Sequence, residues 1–95
     1  PDAPYVFREW RIPERMMPGL RLYRDQRIRP GSFLVAVLSN DLMEAVGIGD
    51  DENLRNLPAY AAFLCNMMPM MAWGSRERVE AWLRAEDAQG KDKDT

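Results

Sequence analysis

Residues 57–68 read LPAYAAFLCNMM, a run in which apolar side chains occupy nearly every side of the helical wheel. Leu57, Ala61 and Leu64 recur at the three- and four-residue spacing of one helix face. A helix that is apolar on all sides is normally central and buried. The sequence therefore predicts a buried main helix over about 57–68, preceded by a short turn over 51–56.

Two further helices are separated by the Pro-Gly-Ser segment at 30–32, since proline and glycine interrupt helical patterns. Apolar residues at helical spacing predict one helix over about 17–29 and a second over about 33–46. Ser32 is placed to cap the amides of the second helix. Gly47 fits a left-handed stop at its end.

The second half of the chain carries two more capping signals. Asp50 and Asp51 stand at the start of the turn over 51–56, and either carboxylate can cap it. Ser75 precedes an amphipathic stretch that predicts a last helix from 76 to about 86.

The chain divides into three parts by composition. Residues 1–12 hold aromatics between prolines and predict an extended arm that packs on the body, with a short strand as the alternative. Residues 87–95 have no apolar anchor and predict a disordered tail. With 95 residues in all, the fold class we expect is all-α: one small single-domain bundle of about four helices over 13–86, with an N-terminal aromatic arm and a disordered C-terminal tail.

The residue inventory argues against an enzyme. The chain has no histidine, one cysteine, and lysine only at positions 91 and 93. Catalysis by Ser-His or Cys-His pairs needs an imidazole, and structural zinc needs about four Cys or His ligands. We therefore expect no catalytic residues, no metal and no cofactor. The remaining catalytic alternative is a divalent ion held by Asp50, Asp51 and Glu52.

The charges are distributed unevenly along the chain. Residues 1–31 contain seven arginines and four acids, a balance of +3, whereas residues 32–73 contain one arginine and five acids, a balance of −4. Arg21, Arg24 and Arg27 are candidate phosphate-contacting residues on the first helix. The alternative is that these arginines are solvated or pair with nearby acids. The net charge of −2 argues against nucleic acid as a partner.

Asn40 and Asp41 are candidate binding residues within the second helix. Asp41 falls on its apolar arc, where a carboxylate is costly unless it is paired or hydrogen-bonded. It either caps a helix or meets an arginine, or it contacts a ligand or partner.

The chain also has three tryptophans. Aromatic residues near chain ends or near the breaks between helices often anchor a second chain. We include Trp73 as a candidate binding residue on this ground and expect either a homodimer or an arm that covers its own domain.

The segment Cys65–Met71 is rich in sulfur. Methionine at helical spacing usually fills the core, although it also serves adaptable binding surfaces, and soft sulfur ligands suit Cu(I). We expect core packing here, with Cys65 as a small buried residue.

No apolar run reaches the length of a membrane span, and the first residues lack the basic and apolar regions of a secretory signal. With a single cysteine, we expect a reduced, cytoplasmic protein with no membrane partner.

Four short motifs carry a resemblance. They are IPER from Ile12, PGSFLxAVLxNDL over 30–42, Asn66 with Pro69, and WGSxExVxxW over 73–82. In this order they resemble a set of small bacterial proteins of uncharacterised function that phages, prophages and plasmids encode. The resemblance spans about residues 12–83. It implies an accessory protein of a mobile genetic element and assigns no catalytic or binding residue.

The sequence thus predicts a non-catalytic, protein-binding accessory protein of a mobile element, with an unidentified protein partner and self-association as part of its function. The alternative is a nucleic-acid accessory protein that contacts phosphates through the arginine-rich residues 8–29.

Overall fold

The computed structural model describes residues 4–94, and their side chains up to Ala85. Two short strands precede six α-helices in this part of the chain. The elements are β1 (Val6–Phe7), β2 (Trp10–Arg11), α1 (Met17–Gln26), α2 (Ser32–Leu38), α3 (Leu42–Ile48), α4 (Asp51–Arg55), α5 (Leu57–Met67) and α6 (Arg76–Asp94), with 3-10 turns at Glu14–Met16 and Met70–Ala72. The domain is mainly helical as predicted, but the expectation of an all-α bundle of about four helices is wrong in its details.

The largest error concerns the helix predicted over 33–46, which the structure divides into α2 and α3. Asn40 adopts a left-handed backbone with φ of 61°, and this conformation cannot continue a right-handed helix. Asp41 then caps α3, since its side chain accepts a hydrogen bond from the amide of Glu44. The apolar arc runs across the break, but α2 buries five residues whereas α3 buries only Ala45.

The N-terminal arm forms a hairpin and packs on its own domain. Val6 pairs with Arg11 and Phe7 with Trp10 in antiparallel register. The ring of Tyr5 meets Phe63 of α5 edge to face at 5.2 Å. The strand alternative is thus the correct one, and the arm covers its own chain, although Pro1 to Ala3 lie outside the described residues. The homodimer stays a prediction.

Helix α5 lies close to the predicted bounds of 57–68, but it is not buried on all sides, since Ala61, Cys65, Asn66 and Met67 are exposed. Its buried residues include Tyr60 and Phe63, both at most 2% exposed. The hairpin packs against it, and Phe33 of α2 meets Tyr60 edge to face at 5.5 Å. The short helix α4 occupies most of the segment predicted as a turn over 51–56.

Helix α1 begins at Met17 as predicted, but it ends at Gln26 because Arg27 is left-handed, with φ of 57°. A buried network joins this helix to the C-terminal half. The Tyr23 hydroxyl donates to the carbonyl of Ala72 at 2.7 Å, and the Trp82 indole N–H donates to the carbonyl of Tyr23 at 2.9 Å. The guanidinium of Arg27 lies over the Trp82 ring, 3.8 Å from its centroid.

Four residues are predicted to cap or to stop a helix, and two of these predictions are confirmed while two are wrong. Asp50 accepts from the Asn53 amide at 2.8 Å, and Ser75 accepts from the Arg78 amide at 3.1 Å, so both act as caps. Ser32, in contrast, is the first residue of α2 and makes no capping hydrogen bond, since Gly31 occupies the cap position. Gly47 lies inside α3 rather than ending it.

The last helix continues past residue 86 to Asp94. Because the side chains from Glu86 onward and the whole of Thr95 lie outside the described part, the disordered tail over 87–95 stays a prediction. No helix in the described part of the chain combines the length and apolar character that a bilayer crossing requires.

Candidate functional site: an apolar groove between α3 and α5

An open groove of about 330 Å³ lies between α3 and α5. Helix α5 contributes one face of its first two turns to the groove: Leu57, Pro58, Tyr60, Ala61, Leu64 and Cys65. Leu42 and Ala45 of α3 form the opposite wall, with Val37 at the end of α2. We call this site the groove.

The break between α2 and α3 forms one end of the groove, where Asn40 and Asp41 line it. The backbone turns tightly at this point, since the Asp41 amide donates to the carbonyl of Ala36 at 2.9 Å. One carboxylate oxygen of Asp41 accepts from the Glu44 amide at 3.1 Å, and the other lies 3.4 Å from a guanidinium nitrogen of Arg76. Asp41 therefore has a structural role, and 41% of its side chain remains exposed.

Trp73 also lines the groove and is partly buried. The backbone at Trp73 and just after it is held in place. The Gly74 amide donates to the carbonyl of Leu38 at 2.8 Å, and Arg78 donates to the carbonyl of Trp73 at 3.3 Å. Among the described residues, its own indole N–H is buried and has no acceptor. Three predicted site residues, Asn40, Asp41 and Trp73, are thus brought together at one site.

Cys65 is exposed and lines the groove, so the expectation that it is a buried core residue is wrong. The same holds for most of the methionines that follow it. Met67, Met70 and Met71 are 49%, 76% and 76% exposed, whereas Met68 is buried. Cys65 and Met67 lie on an exposed side of α5, and Met70 and Met71 lie beyond its end at Met67.

The apolar surface extends from the groove over the outer side of α3. Leu42, Met43 and Val46 are 61%, 80% and 48% exposed there. Single exposed apolar residues are ordinary on protein surfaces, whereas several together beside a groove make it a candidate interaction site. Sequence reasoning missed these residues because it placed them within one long helix over 33–46. The signal was present in Asp41 and Glu44, whose spacing is typical of a helix start.

The candidate arginines Arg21, Arg24 and Arg27 lie on or just after α1 and do not line the groove. Arg24 forms two hydrogen bonds to Asp25, at 2.7 and 3.1 Å, and lowers the pKa of that carboxyl below its ordinary value. Arg27 stacks on Trp82. Arg21 is partly buried. The contacts of Arg24 and Arg27 within the chain favour a structural interpretation of both.

Two of the three carboxylates considered for a divalent ion, Asp50 and Glu52, are engaged with Arg15 instead. Arg15 lies 2.7 Å from Asp50 and 3.1 Å from Glu52. The amide of Asn53, and then Arg15, hold the pKa of Asp50 below its ordinary value. Within the described residues, no three Cys, Asp or Glu side chains gather into a group that could hold a metal ion.

Comparison with known proteins adds no residue to this set. No protein-family model, no curated protein and no solved structure matches the chain.

Proposed function

We propose that this protein is a non-catalytic binding module whose groove takes apolar side chains of a protein partner. The observation that carries the proposal is the groove itself, about 330 Å³ in volume and bordered by the exposed Leu42, Met43 and Val46. Apolar concave sites are where proteins bury the anchor residues of a partner. An apolar side chain that enters such a groove displaces water from apolar surface, which is favourable in free energy.

Three titratable side chains line the groove, and two of them are already engaged in the fold. Asp41 caps α3, and the hydroxyl of Tyr60 donates to Asn53. Burial raises the pKa of Tyr60 above its ordinary value, which keeps the phenol neutral. Cys65, the third, has no histidine to accept its proton, because the chain contains none. This chemistry supports binding rather than catalysis.

The biological setting we propose is that of an accessory protein of a mobile genetic element, acting in the cytoplasm. The resemblance of the motifs over 12–83 supports the first part of this proposal. The partner is a protein of the host or of the element itself, and self-association through the same surface is the competing mode.

The test is capture of partners by the tagged protein and by two alanine variants. Ala61 is exposed and lines the groove, so Ala61→Gln places a polar side chain in it, whereas Ala81→Gln makes the same change on an exposed position of α6. We expect a stoichiometric protein that survives nuclease treatment, binds wild type and Ala81→Gln, and is lost from Ala61→Gln. Equal capture by both variants would refute a role for the groove.

A second candidate function, contact with nucleic-acid phosphates through residues 8–29, has one observation in its favour. Arg29 of this range lines a separate depression of about 270 Å³, which Arg76 and the acidic Glu44 also line. It ranks second because Arg29 lies 2.8 Å from Glu80 and Arg76 lies 3.4 Å from Asp41. The measurement is affinity for a DNA oligonucleotide against salt, which falls steeply if phosphates are contacted and falls less steeply in Arg29→Gln.

A further inference from the structure

We draw no further inference here: the strongest candidate, the apolar groove between α3 and α5, carries nothing beyond the proposed function, because Asp41, the charged residue that lines it, is already paired with Arg76 and nothing in the structure shows what covers it.

Discussion

The hydroxyl of Tyr60 donates to the side-chain oxygen of Asn53 at 2.6 Å, and both residues are at most 3% exposed. This bond joins α5 to α4 directly beneath the groove. The amide of Asn53 in turn donates to Asp50, whose carboxylate also meets Arg15. The floor of an apolar site is thus held by a buried polar contact, which fixes its shape.

Tyr60→Phe should lower the free energy of unfolding by about 1–3 kcal/mol, because it leaves the buried oxygen of Asn53 without its donor. The check is the denaturation midpoint in urea. Tyr5→Phe is the control, since the hydroxyl of Tyr5 accepts a longer bond of 3.3 Å from the exposed Asn66. Equal shifts in the two variants would show that the contact with Asn53 contributes little.

Asp41→Ala should destabilise the protein by about 1 kcal/mol, which is the usual cost of losing a helix N-cap. Asp41→Asn should cost about half of this or less, because asparagine caps equally well and the exposed pair with Arg76 contributes little. Urea titration of both variants separates the cap from the charge. A loss in Asp41→Asn as large as in Asp41→Ala would assign the stabilisation to the charge.

Gly49→Ala should destabilise the protein by about 1–3 kcal/mol through overpacking. A Cβ at this position would lie 2.6 Å from a ring carbon of Phe33, 2.8 Å from Leu54 and 2.9 Å from the carbonyl oxygen of Ala45. Gly47→Ala is the matched control two residues away. Gly47 lies inside α3, and a Cβ there would meet no atom within 4 Å. The substitution should therefore stabilise the helix by about 0.5–1 kcal/mol.

Stability should fall above about pH 10, the ordinary pKa of tyrosine. Burial raises the pKa of both Tyr23 and Tyr60 in the folded state, so the unfolded chain loses these protons first as the pH rises. The stabilisation is complete below the ordinary pKa and is lost above it. Urea midpoints against pH should decline less steeply in Tyr23→Phe than in wild type, and an unchanged slope would contradict this cause.

The features that could be predicted from the sequence are those with a local physical signal. The all-round apolar character of 57–68 predicts a central helix, and Asp50 and Ser75 are caps that satisfy amides close to them in the chain. These signals depend on spacing alone. They therefore remain visible without knowledge of the tertiary structure.

The groove could not be predicted, because it depends on one backbone conformation and on which face of α3 the fold leaves uncovered. Asn40 turns left-handed, and the apolar periodicity that continues across it hides the turn. Cys65 and Met67 have the spacing of core residues, yet no other element covers them completely, so they stay exposed. Periodicity predicts an apolar face but not whether that face is covered.

The left-handed turn at Asn40 links ligand binding to thermal stability. Under the proposed function, a partner in the groove contacts α5 on one side and the turn and α3 on the other, so neither wall can unfold without releasing it. Occupancy at one hundred times the dissociation constant adds about 2.7 kcal/mol to the stability of the native state. A rise in melting temperature can therefore rank partners for this groove without any label.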